Sequence, residues 1–305
     1  MMLRTLALGL LTCFPALVQA ETGLAGSVLR FDIETSSNSR GGNDLNSSGF
    51  PFAEIEDFDL TAIDAQLAVP FENGATLQFG VRHDVSHAPT SVFFSASDDT
   101  YRKGTLVTAQ LGQQFEQGYG GAFLAAGQVS FNPSDADQDA DLRSFGFQGA
   151  YHWEWATVGG VFGVLDTTAD NPETLANATF LGVNAGYYFG NDQTRLSGSF
   201  TVFDGQQDID SGGSPDPVRA TVASLELEHA FLTRRSYQLS GFVGYDRIDV
   251  KETSSSGIQE TTSDDLISLG LRVVFGASAP RQRDRVMTPD LPDMLRLLGA
   301  VPAVD

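Results

Sequence analysis

The chain has almost no cysteine: Cys13 is the only one in 305 residues. A single thiol excludes a disulfide-stapled secreted domain and a zinc site built on paired cysteines. Lysine is nearly as scarce, with Lys103 and Lys251 beside 16 arginines, and the 18 basic residues face 39 acidic ones for a net charge of −21. That balance excludes an electrostatic nucleic-acid binder, which needs excess positive charge to neutralise phosphates. Long apolar runs are missing too. No segment beyond the N-terminus approaches the ~18 apolar residues of a spanning helix, so any membrane crossing must be made by strands, which only a closed barrel permits. What the chain does contain is 32 glycines and an aromatic share of 10%, a composition that argues against disorder.

Residues 1–20 combine Arg4, an apolar run from Leu6 to Val18 and the small-residue end Val18-Gln19-Ala20. This pattern predicts a Sec signal peptide cleaved after Ala20. Cleavage would remove Cys13 and leave a thiol-free product of residues 21–305 with 17 basic and 39 acidic residues. Export without cysteine, in a chain of this size, fits a Gram-negative envelope better than a disulfide-dependent secreted fold.

Period-two alternation then runs through the chain. Ile267, Leu269, Leu271, Val273 and Phe275 alternate with Ser268, Gly270 and Arg272; Leu77, Phe79 and Val81 alternate with Gln78, Gly80 and Arg82; Leu181, Val183, Ala185, Tyr187 and Phe189 alternate with Gly182, Asn184 and Gly186. Each such stretch reads as a strand with one apolar face, long enough to cross a bilayer at a tilt. The full reading is twelve strands, at 23–36, 56–70, 75–87, 101–115, 118–131, 142–153, 156–167, 178–189, 193–208, 218–231, 236–250 and 264–275. The connections alternate between tight turns, such as 72–75 and 116–118, and long polar segments. Aromatic residues flank every tight turn: Phe71, Phe115, Tyr119, Trp153, Trp155, Tyr187, Phe189, Phe231 and Tyr237, with Phe275 expected at the same rim. Amphipathic rings gathered at one level predict an interfacial girdle.

With these residues in view, the chain resembles a Gram-negative outer-membrane β-barrel protein of porin-like type. The signal peptide, the alternating segments, the girdle and the terminal strand from Leu266 to Phe275 carry the resemblance, which covers residues 21–275 and matches no single family closely. It implies an all-β, antiparallel, up-and-down transmembrane barrel with short periplasmic turns and long extracellular loops. It also implies insertion by the barrel-assembly machinery and surroundings of outer-membrane lipid and lipopolysaccharide. Such barrels usually end at the terminal Phe, whereas here residues 276–305 follow. Their composition predicts a flexible periplasmic tail, with a docking helix or partial plug around Met294-Leu295-Arg296-Leu297-Leu298 as the alternative.

The long connections hold 20 acids against Arg40 and Lys251, so the negative charge belongs mainly to the face expected to be extracellular. Asp135, Asp137, Asp139 and Asp141 offer hard oxygen ligands that could take Ca²⁺ at an outer loop or bridge to lipopolysaccharide. They lack the glycine and glutamate of an EF-hand loop, and a solvated acidic loop is the simpler reading. No other cofactor is expected. Strand parity places Arg30, Asp64, Gln78, Arg82, Gln128, Asn184, Arg195, Glu226, Glu228 and Arg272 in the lumen, where they either line a wet pore or pair across it and close it. Phe93, Phe94, Asp98 and Asp99 are a candidate constriction loop. The expectation is a non-enzymatic channel for passive diffusion of small polar solutes. A structural or surface-interaction barrel is the alternative. A lipid hydrolase is less favoured, since His83 and His87 have only Ser86 and Ser91 near them in sequence.

Overall fold

A computed structural model describes residues 26–43, 58–88, 100–130, 139–169, 175–190, 192–207, 216–234, 237–253 and 259–300. The signal-peptide segment lies outside the described residues. Twelve strands are present: β1 (Val28–Asn43), β2 (Phe58–Pro70), β3 (Ala75–Ala88), β4 (Thr100–Phe115), β5 (Gly118–Ser130), β6 (Asp139–His152), β7 (Ala156–Ala169), β8 (Leu175–Phe189), β9 (Thr194–Gln207), β10 (Pro217–Thr233), β11 (Tyr237–Thr253) and β12 (Gln259–Phe275). Each pairs antiparallel with its sequence neighbours, and β1 closes on β12 from Leu29 opposite Phe275 to Asn43 opposite Thr261. Closure leaves no unpaired edge, so the backbone of the wall satisfies its own donors and acceptors.

The outer face is the apolar one. Phe145, Phe147, Phe162, Leu181, Val183, Ile267, Leu269 and Leu271 are all exposed, with Leu181 and Ile267 at 65%. In water such a surface is a large liability, and in hydrocarbon it is the favourable one. The wall's inner face alternates with it, holding Arg30, Gln66, Gln78, Gln110, Ser144, Gln148, Glu228, Ser268 and Arg272 buried.

Several strands run further from the turn end than alternation indicated. β12 begins at Gln259 and β6 at Asp139; the first residues of β12 are polar on both faces and the outer face of β6 starts with Asp139 and Asp141, so the ladder continues where the outer apolar stripe has stopped.

The girdle forms on the outside of the turn end. Phe71, Phe115, Trp153, Trp155, Tyr187, Phe189 and Phe231 are exposed there. Trp153 stacks on Trp155 at 6.2 Å, Tyr187 meets Phe189 edge-on at 4.6 Å, and Tyr237 lies 6.4 Å from Phe275 across β11 and β12. Tyr119 departs from the expectation. It is only 4% exposed and points inward, and its ring covers two glycines, since a Cβ built on Gly112 or Gly121 would sit 2.3 or 2.2 Å from it. Parity decides: Tyr119 shares the inner face with Phe123 and Ala125, and Tyr151, on the outer face, joins the girdle by packing 4.7 Å from Trp153.

After Phe275 the chain turns into the barrel. Gly276 makes the bend at φ +84°, where a Cβ would collide with the carbonyl oxygen of Ser27. A short helix α1 (Pro280–Val286) follows, with proline in its first turn, where its missing N–H is no loss. A second helix α2 (Met294–Ala300) is capped by Asp293, whose carboxylate accepts the Arg296 amide at 3.1 Å. The expectation of a flexible tail is therefore corrected for residues 276–298: they occupy the lumen as a plug. The reason is visible only in three dimensions, because Arg283, Asp284, Thr288, Asp290, Asp293 and Arg296 meet partners spread over many strands.

Candidate functional site

The inner wall carries two zones. Toward the turn end it is polar and charged. Toward the other end it is apolar, formed by Leu106, Phe123, Val129, Leu142, Leu165, Phe180, Phe203, Val222, Ile248 and Leu266. Phe180 stands 6.1 Å from Phe123 and 5.1 Å from Phe203, and the Phe180 and Phe123 rings fill the space over Gly163.

The tail is matched to both zones in order. At the rim, Arg281 pairs with Asp192 at 2.8 Å and donates to the Glu154 carbonyl at 2.7 Å, fastening the plug to two tight turns. Arg283 is fully enclosed and donates twice to Glu228, at 2.9 and 2.8 Å. Asp284 pairs with Arg195 at 2.7 Å and accepts from the Tyr188 hydroxyl at 2.8 Å. Thr288 donates its amide to Gln78 at 2.9 Å and its hydroxyl to Gln110, which also accepts from Gln148. Asp290 takes a bidentate pair from Arg30 at 3.0 and 2.9 Å and a further bond from Gln66 at 2.9 Å. Asp293 pairs with Arg82 at 3.1 Å. Arg296 bridges Glu34 and Asp246. Beyond it Met294, Leu295, Leu297 and Leu298 are buried in the apolar zone.

A second arginine centre belongs to the wall itself. Arg272 donates to Asp32 at 3.0 Å through each of two nitrogens, to Glu226 at 2.9 and 3.1 Å and to Glu228 at 2.6 Å, and lies 4.8 Å from the centre of the Phe242 ring. Glu228 joins this cluster to Arg283 of the tail, so the wall and the plug share one ion network.

Charge placement shows in the titration of the tail carboxylates. Burial pushes Asp284 up, but the guanidinium groups of Arg195 and Arg283 outweigh it and hold the carboxyl below its usual range. Burial acts likewise on Asp290 and is outweighed by Arg30 and by the bonds from Arg30 and Gln66. Half of the Asp290 side chain still opens onto a cavity of about 270 Å³ that remains beside the plug.

Seven of the residues expected in the lumen line that cavity: Arg30, Asp64, Arg82, Asn184, Arg195, Glu226 and Arg272. Gln78 and Glu228 also face inward, behind the tail. Gln128 does not. It stands on the outer face with Leu124 and Ala126 and donates to Asp139 at 3.2 Å. Its polarity marks the end of the apolar belt, since near a strand end the outer face is polar as well. Phe93, Phe94, Asp98 and Asp99 lie outside the described residues, as do Asp135 and Asp137. Asp139 and Asp141 form the start of β6, and among the described residues no cluster of three metal-ligating side chains occurs. His83, exposed enough to bond Thr105 at 2.9 Å, and Ser86, buried, stand three residues apart on opposite faces of β3, so they cannot form a nucleophile and base pair. The inner apolar zone was missed by the sequence reading. Its signal was present in pairs such as Phe180-Leu181 and Val161-Phe162, where both faces of a strand are apolar.

No family model matches the chain, and no curated protein matches it. Solved structures do. An outer membrane channel from Pseudomonas putida F1 is 15% identical, with 82% of this chain and 95% of that one covered at a TM-score of 0.58. The translocator domain of an autotransporter from Neisseria meningitidis is 11% identical, covering 90% and 97% at a TM-score of 0.46. A porin in complex with disordered oligogalacturonate is 11% identical, covering 79% and 97% at a TM-score of 0.41. The first of these shares the fold described above, a closed antiparallel barrel.

Proposed function

We propose that the protein is an outer-membrane channel for small polar solutes whose own C-terminal tail is its closure. The observation that carries this reading is the construction of the plug. Residues 281–298 are joined to the wall by ion pairs, side-chain hydrogen bonds and one short apolar helix rather than by strand pairing. A wall that is complete without the plug, with a charged inner surface, is what a gated passage requires. The apolar outer belt and the girdle support residence in an outer membrane, and the Pseudomonas putida barrel of the same fold is itself described as a channel.

A second reading has one observation in its favour. The ion network is dense enough to make a permanent closure, which would suit a structural barrel. Planar bilayers separate the two. Purified protein should give discrete conductance steps of low open probability; a bilayer that stays sealed at every protein concentration favours the structural barrel.

A further inference from the structure

In the channel reading just given, the plug leaves and a solute takes its place; this inference rests on that reading. We infer that the lumen site now held by α2 is a binding site for an amphipathic organic cation, a single guanidinium or ammonium head on a short apolar body. The occupant in place already has that chemistry. Arg296, 5% exposed, puts one guanidinium between Glu34 on β1 and Asp246 on β11, while Leu295, Leu297 and Leu298 fill the apolar chamber beside it.

The wall specifies both halves without the tail. Among the described residues the cation paired with Asp246 is Arg296, so removal of α2 leaves that carboxylate facing the lumen. Glu34 keeps a weaker contact, Arg82 at 3.8 Å. Across the ion-paired part of the wall, Asp32, Glu34, Asp64, Glu226, Glu228 and Asp246 outnumber Arg30, Arg82, Arg195 and Arg272. A buried carboxylate beside an apolar chamber rewards a ligand that offers a positive head and an apolar body together, because either half alone leaves the other part of the site unfilled. The acidic long connections raise the local concentration of cations at the entrance.

The test uses the full chain with Cys13→Ser and Leu298→Cys. Residues 21–305 contain no other cysteine, and Leu298 is fully buried in the chamber, so reaction with a charged, membrane-impermeant thiol reagent reports departure of α2. Hexylguanidinium should compete with α2 and raise the labelling rate about tenfold, the scale expected when a buried charge pair is contested. Guanidinium alone and hexanoate at the same concentration should leave the rate unchanged. Calorimetric titration should detect hexylguanidinium binding to the parent chain and none to Glu34→Gln with Asp246→Asn. Equal acceleration by hexanoate, or no acceleration by hexylguanidinium with no heat of binding, overturns the inference. Conductance recorded in parallel keeps the two readings apart: steps without a hexylguanidinium effect leave the channel standing and remove the ligand, and a sealed bilayer with the effect does the reverse.

Discussion

At the scale of single residues, arginine is the organising side chain of the interior. Arg272 makes five hydrogen bonds to Asp32, Glu226 and Glu228, more than the three donors of a lysine ammonium allow, because the planar guanidinium presents five donors in fixed directions. Replacing Arg272 with Ala would leave three carboxylates facing one another in a confined space. The expected loss is about 3 to 5 kcal/mol, the usual cost of breaking a buried ion pair from one side, seen as a lower urea midpoint for loss of the compact, unboiled gel form. The tail carboxylates give a pH prediction with a definite sign. Asp284 and Asp290 titrate lower when docked than when free, so their contribution to docking is complete above the ordinary carboxylate value of about 4 and is lost as pH falls below it. Labelling of Leu298→Cys, divided at each pH by the rate of a free thiol with the same reagent, should therefore stay low and constant from neutral pH down to about 5 and rise only below about 4. A rise centred near neutrality would mean that these carboxylates do not hold the plug.

At the scale of elements, the strands were legible and the tail was not. Alternation located all twelve strands and the tight turns because burial on one face and exposure on the other is a local, period-two property. The sequence reading failed at Tyr119 and Gln128, where the residue type suggested one face and the parity of their own strand dictated the other. It also failed to show the apolar inner zone, since Phe180 and Phe203 sit inside for the sake of α2 and of one another, not for lipid. The partners of the tail lie 50 to 262 residues away in sequence, from Asp246 to Glu34, both held by Arg296, and composition carries no trace of such matches. Helix α2 is short, and its stability comes from the chamber it fills. Leu297→Asp should expel it. The expected result is protease cleavage within residues 288–300 in folded protein whose heat-dependent gel shift is unchanged. Loss of the shift in the same variant would mean that the plug is part of what holds the barrel together.

At the scale of the whole molecule, the net charge of −21 and the modest apolar content look contradictory for a membrane protein until they are placed. The apolar residues form an outward belt and an inner chamber, about half of the acids fall in the long connections, and six arginines are paired inside. The interior is thus a region of dense ion pairing with acids in excess, closed by the chain's own C-terminal segment. This closure is the central claim, and recording from single channels tests it most directly. Full-length protein and its Arg296→Ala, Leu297→Asp variant, both shown to be folded by heat-dependent gel mobility, are compared in planar bilayers at equal amounts. The variant should open to the same step size as the parent but remain open about tenfold longer or more, as expected when a buried ion pair and an apolar anchor are both removed. Indistinguishable open times in the two proteins, or a sealed bilayer with both, would contradict it.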